Sequence, residues 1–88
     1  MYTLNILPTL ERELARLAKK NRHRYDIILK KVDEILENPH HYKNLRRPYQ
    51  HLKRVHIDSC FVLTFMVDEA ATTVTLVDFE HHDKIYAV

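Results

Sequence analysis

Glycine is absent from the chain, and only one cysteine and three prolines occur among its 88 residues. Glycine takes the left-handed backbone region at least cost, so its absence leaves the type of any tight turn open. A single cysteine, Cys60, excludes an internal disulfide and fits a reducing compartment. Its apolar neighbours place it in the core rather than in the role of a nucleophile. Long apolar runs are missing too: the longest is a few residues, too short to cross a bilayer. The N-terminus, with Asn5 and Pro8 close behind a short apolar patch, lacks the charged start and apolar centre of a signal peptide. The expected location is the cytoplasm, with no membrane partner.

The most informative absence is local. From Asn38 to Ile57 there is no acidic residue, while Lys43, Arg46, Arg47, Lys53 and Arg54 fall in that interval with His40, His41, His51 and His56. The formal charge of the whole chain, +2, is too small to imply a partner. A one-signed tract is the electrostatic footprint of a phosphate-binding surface. A solvated basic face, or a docking site for an acidic protein segment, accounts for the charge equally well.

With 45% apolar and 30% charged residues the composition is that of a folded domain. A chain of this length forms one domain and buries only about 60% of the surface its unfolded form exposes. Tyr2 to Ile6 has the aromatic, Thr and Ile content of a short strand, which Pro8 ends. Thr9 then caps a helix in which Leu10, Leu14 and Leu17 recur at helical spacing, with Glu11 and Glu13 in its first turn and Lys19 and Lys20 in its last. After a turn near Asn21, Tyr25, Ile28, Leu29, Val32, Ile35 and Leu36 mark one face of a second helix, stopped by Asn38 and Pro39. The period then changes. Tyr49, Leu52, Val55 and Ile57 lead to a hairpin turn at Asp58-Ser59, and Phe61 to Val67 is almost wholly apolar. After a turn from Asp68 to Ala71, Thr72 to Phe79 alternates, with Val74, Leu76 and Phe79 on or near one face. Ile85 to Val88 reads as a last short strand. The predicted fold class is α+β: an N-terminal strand and an antiparallel two-helix hairpin packed on an antiparallel sheet of three to four strands, spanning residues 1–88 as a single domain.

Period two on the first strand of that sheet puts Lys53, Val55 and Ile57 on one side and Arg54 and His56 on the other. If Val55 and Ile57 face the helices, Arg54 and His56 face out, and His82 and Tyr86 reach the same side from the end of the chain. Histidine exchanges protons near neutral pH, and tyrosine offers a hydroxyl and a flat face for a nucleobase.

Four stretches, in this order, resemble the RelE/ParE superfamily of type II toxins, and among them the ribosome-dependent mRNA-cleaving RelE branch. Lys43-Asn44-Leu45-Arg46-Arg47 is similar to a Leu-Arg-Gly stretch before the sheet, and Leu52 to His56 to a strand of alternating basic residues. Phe61-Val62-Leu63-Thr64-Phe65 is similar to a Tyr-Arg-aliphatic-aliphatic-Tyr strand, and His81-His82-Asp83-Lys84-Ile85-Tyr86 to a His-Arg-x-x-x-Tyr ending. The resemblance covers essentially the whole chain and implies a metal-independent endoribonuclease that enters the ribosomal A site and cuts mRNA by attack of a ribose 2′-hydroxyl on the neighbouring phosphate.

Carried over by position, the resemblance assigns Lys53, Arg54, His56, His82 and Tyr86 to catalysis. Lys43, Arg46, Arg47 and His81 are assigned to RNA or phosphate contact. It implies no cofactor, ribosome and mRNA as targets, and a hetero-oligomer with a small acidic RelB-like antitoxin. Two departures stand out: Val62 replaces a usual arginine and His82 another, which shifts the weight from fixed charge to general acid–base catalysis. A gyrase-poisoning ParE-like toxin and a non-catalytic antitoxin- or nucleic-acid-binding relative remain the alternative readings. His40-His41 with His81-His82-Asp83 invites a metal site, but adjacent histidines on an extended segment point to opposite faces, and no metal ligand set is assigned. Tyr42 and Tyr49, which flank the basic tract, fit base stacking and helix packing equally.

Overall fold

In the computed structural model, which describes residues 1–86 and side chains as far as Lys84, the chain runs β1 (Thr3–Ile6), α1 (Pro8–Lys20), α2 (Arg22–Glu37), a 3₁₀ turn (Pro39–His41), β2 (Lys53–Ile57), β3 (Phe61–Asp68), β4 (Thr73–His81) and α3 (His82–Tyr86). One sheet holds all four strands in the order β1-β4-β3-β2. The β2–β3 and β3–β4 pairs are antiparallel, whereas β1 joins β4 in parallel, because the helical hairpin returns the chain to the far side of the sheet before the meander begins.

Helix α1 opens two residues earlier than a Thr9 cap would set it. Pro8 is its first residue, where the missing N–H is no loss, and the preceding Leu7 makes no side-chain cap; Thr9 lies inside the helix. A single residue joins the two helices. The Asn21 N–H donates to the carbonyl of Leu17, and its side chain accepts from Arg24 N at 3.0 Å, so it closes α1 and caps α2 at once. Leu10 and Leu14 of α1 with Ile28, Val32 and Ile35 of α2 pack on Val55, Ile57, Leu63, Phe65, Val74 and Leu76 of the sheet. Leu29, expected on this face, is 43% exposed beside a groove between the hairpin and β1.

The turns carry the cost of having no glycine. Asp58 and Thr72 adopt positive φ, 57° and 49°. Aspartate tolerates this region, but a β-branched threonine does so under strain. Cys60, expected in the core, is exposed in the β2–β3 turn. The last expected strand is also replaced: Ile85 and Tyr86 belong to α3, and Ala87 and Val88 lie outside the described residues.

One irregularity decides which side chains face away from the helices. Between Thr64 and Phe65 the β3–β4 register shifts, so Thr64 faces Asp78 while Phe65 faces Leu76, and Val77 has no partner. The extra residue reverses the alternation of β4. Leu76 and Phe79 consequently both turn to the helices, and Asp78 and Glu80 turn to the open face.

Candidate active site

Side chains directly paired across strands share a face. On the open face two rows follow from the register: Arg54–Thr64–Asp78, and His56–Val62–Glu80. Val62 and Thr64, in the middle of these rows, are buried although they point away from the helical hairpin. Helix α3 lies against β3 and β4. Its first residue is fixed by a 2.7 Å hydrogen bond from the His82 N–H to the carbonyl of Cys60, which ties the start of α3 to the β2–β3 turn. That anchor brings His82 onto His56: the rings stack with centroids 5.8 Å apart and 27° between planes.

His81 takes the other side. Its ring meets Phe61 edge-on at 5.5 Å, and Phe61 in turn stacks on Phe79 at 5.1 Å beneath the guanidinium of Arg24, 4.1 Å away. Arg24 also donates to Asp58 at 3.4 Å. The two adjacent histidines share one carboxylate, Asp83, which lies 3.8 Å from His81 Nδ1 and 3.6 Å from His82 Nδ1. The structure therefore joins His56, His82 and Arg54 on one face and separates His81 from them. The Tyr86 backbone belongs to α3, while its side chain, the expected base-facing group, lies outside what the structure describes.

Lys53 does not share the face of Arg54. It pairs with Phe65 on the helix side of β2, and its ammonium donates to the Tyr42 carbonyl at 3.0 Å and to Asn44 Oδ1 at 3.1 Å. Those bonds pin the loop that carries the other cations. The same loop is closed by Leu45 N to Leu52 O at 2.8 Å, Arg54 N to Lys43 O at 3.0 Å and Asn44 Nδ2 to Gln50 O at 2.7 Å. Lys43, Arg46, Arg47, Tyr49 and His51 are exposed on it. Tyr42 is instead a packing residue, edge-on to Phe65 at 5.8 Å, and burial raises its hydroxyl above the usual tyrosine value. Lys53→Met, which keeps the stem and removes both bonds, is expected to lower unfolding stability by about 1–2 kcal/mol in urea titrations. A lysine engaged with phosphate would show the reverse: unchanged stability and a shallower salt dependence of RNA binding.

A second titratable cluster lies at the opposite end of the sheet. The Tyr2 hydroxyl donates to Glu69 Oε1 at 2.6 Å, and His40 Nε2 bonds the same oxygen. Donation from Tyr2, and then from His40, holds the Glu69 carboxyl below its ordinary value, while that bond raises Tyr2. A depressed carboxyl stabilises the fold above its unfolded value, about 4.3. The contribution is lost as pH falls through the lower folded value. Glu69→Gln is accordingly expected to flatten the acid side of a plot of thermal midpoint against pH; an unaltered profile would discount the cluster. Among the described residues no group of three or more His, Cys, Asp or Glu is placed to hold a metal ion, and no helix is long and apolar enough to cross a membrane.

No protein-family model matches the chain. A RelE toxin by name, RelE4 of Methanocaldococcus jannaschii, is 55% identical over 86 residues, which are 98% of this chain and 92% of that protein. The chain belongs to the RelE/ParE superfamily of type II toxins. An uncharacterized protein of Methanosarcina mazei is 59% identical over 86 residues, covering 98% of this RelE-type chain and all of its relative. The RelE-like fold is equally plain in solved structures. A chain in the intact E. coli RelBE toxin–antitoxin complex has a TM-score of 0.75 at 21% identity, covering 92% of this chain and 96% of that one. A metal-bound toxin from Helicobacter pylori has a TM-score of 0.78 at 20% identity, covering 98% and 100%. For a chain in the YoeB–YefM complex of Staphylococcus aureus the values are 0.78, 13%, 93% and 98%.

Proposed function

We propose that this RelE-family chain is the toxin of a toxin–antitoxin pair and acts as a metal-independent endoribonuclease, cutting mRNA in the ribosomal A site. The observation that carries the reading is the His56–His82 stack beside Arg54 on the open face of the sheet. Two imidazoles supply proton carriers, and the guanidinium supplies a fixed positive charge for the phosphate in the transition state. The 2′-hydroxyl loses its proton and attacks the adjacent phosphorus, and the 5′-oxygen leaves with a proton, so the products are a 2′,3′-cyclic phosphate and a 5′-hydroxyl end. Lys43, Arg46 and Arg47, exposed on the pinned loop, hold neighbouring phosphates, and Tyr86 faces a base.

The partner that restrains the toxin is a small acidic antitoxin in a hetero-oligomer. Support comes from the two toxin–antitoxin complexes that contain a chain of similar fold, and from the acid-free tract Asn38 to Ile57, which attracts carboxylates for the same reason that it attracts RNA. Expressing the protein with and without its antitoxin and mapping mRNA 5′ ends tests the reading. Codon-phased cuts that vanish with the antitoxin are the expected result. DNA damage without cuts would point to gyrase poisoning, and no growth effect to a non-catalytic relative.

A further inference from the structure

Arg24 stands in the first turn of α2, where the Asn21 cap accepts a hydrogen bond from its backbone N–H at 3.0 Å. From that fixed base its side chain reaches the β2–β3 turn. The guanidinium donates to Asp58 at 3.4 Å and lies over the Phe61 ring, 4.1 Å from its centroid. These two contacts bracket Cys60, whose carbonyl accepts the 2.7 Å hydrogen bond from the His82 N–H. Phe61 also takes the edge of the His81 ring at 5.5 Å, and His81 Nδ1 accepts from the Asp83 N–H at 3.2 Å, which caps α3. The junction from β4 into α3 therefore rests, at both His81 and His82, on groups that one arginine holds.

Stability accounts poorly for this arrangement. The turn is exposed from Asp58 to Cys60, Asp58 takes positive φ, and among the described residues Arg24 Nε is buried with no hydrogen-bond partner. A buried donor left unpaired is unfavourable, and an apolar side chain on Phe61 would avoid it. What a guanidinium alone achieves is to stack flat on a ring and pair with a carboxylate at once, which fixes the two relative to each other. We infer that Arg24 is a positioning residue for His82: by holding the β2–β3 turn and Phe61 it fixes the seat of α3, and with it the plane in which the His82 ring stacks on His56. The inference rests on the ribonuclease reading above. Arg24 and Phe61 lie on the helical side of the sheet and His56 on the open face, so the effect passes through the backbone at Cys60 rather than through contact with RNA. A displacement of about 1 Å at a reacting group is enough to slow a reaction about 10²-fold.

The test combines a rate with a spectroscopic signature. Cleavage is measured under single-turnover conditions on ribosomes programmed with a defined mRNA, at increasing protein concentration and scaled to folded protein. The ring C–H signals of His56 and His82, assigned from their glutamine variants, are followed by NMR. Arg24→Met keeps the stem and removes the cation; its limiting rate is expected to fall about 10–100-fold, with half-saturation within a few-fold of the parent. Both histidine signals are expected to shift, while that of His51, exposed on the basic loop, stays in place. Arg24→Lys, which keeps the charge without the planar stack, is expected to fall between. Asp58→Asn keeps a residue that tolerates positive φ and loses only the ion pair, so it should move both readouts the same way by less. Arg22→Met, which removes a cation 5.3 Å from the Tyr25 ring in the same helical turn, is expected to match the parent in both. In Arg24→Met a parental rate per folded molecule, or unmoved His56 and His82 signals, overturns the inference even where the thermal midpoint falls, because a merely structural role requires no more than that fall. If His56→Gln abolishes cleavage while Arg24→Met does not slow it, the ribonuclease reading stands and only the positioning role is excluded. If the unaltered protein leaves the mRNA intact, the ribonuclease reading fails and the signals decide: a shift in Arg24→Met upholds the seating of α3, and no shift overturns it.

Discussion

Replacing either His56 or His82 by glutamine is expected to lower mRNA cleavage by about 10²–10⁴-fold, the range a positioned acid or base contributes. Glutamine keeps a polar side chain of similar reach but moves no proton. Both histidines lie on the surface side of the sheet, so thermal unfolding of either variant should stay close to that of the parent. Because the rings stack at 5.8 Å, they act as a unit, and the double variant is expected to lose little more than the worse single one. Arg54→Gln serves as a contrast, since it removes fixed charge rather than a proton carrier and should weaken the salt dependence of RNA binding as well. His23→Gln, exposed on α2, controls for the loss of any histidine. Unchanged cleavage in both single variants would remove the acid–base account.

The largest expected effect on stability is at Phe65. It is fully buried on the central strand β3, pairs with Lys53 on one side and Leu76 on the other, and receives the edge of Tyr42. Truncation to alanine leaves a cavity at the meeting point of the hairpin, the sheet and the pinned basic loop. Phe65→Ala should cost about 3–5 kcal/mol. A small domain holds only about 5–15 kcal/mol in total, so the variant is expected to be partly unfolded at 37 °C. Urea unfolding followed by far-UV circular dichroism measures this directly. A loss below about 1 kcal/mol would mean that the site collapses around the gap.

The helical hairpin was legible because its signals are local: the leucines of α1 and the apolar positions of α2 repeat at 3.6 residues, and Asn21 and Asn38 punctuate them. Once Val55 and Ile57 face the helices, period two sends Arg54 and His56 to the open face, and adjacency separates His81 from His82. Tertiary structure decided what remained. Leu29 has the spacing of a core residue but lines a groove with Leu4 and Ile6 of β1 and stays partly exposed. The apolar flanks of Cys60 belong to β2 and β3, while the cysteine itself occupies the turn between them.

Asp78 and Glu80 face outward for a physical reason. Strict alternation from Val74 and Leu76 would send Asp78 and Glu80 into the core, and only the extra residue at Val77 turns them outward. The conflict was present in the sequence, since Leu76 and Phe79 cannot share a face without such a bulge. Lys53 shows the converse. It stands in a basic strand, yet period two sets it beside Val55 and Ile57, and there its ammonium bonds the loop.

The most direct test of the account is to incubate the purified protein with ribosomes carrying a defined mRNA and to analyse the ends formed. The account predicts one cut within the A-site codon, leaving a 2′,3′-cyclic phosphate and a 5′-hydroxyl, and no cut when the nucleotide supplying the 2′-hydroxyl is replaced by its deoxy form. Intact mRNA, or equal cleavage of the deoxy substrate, would contradict it.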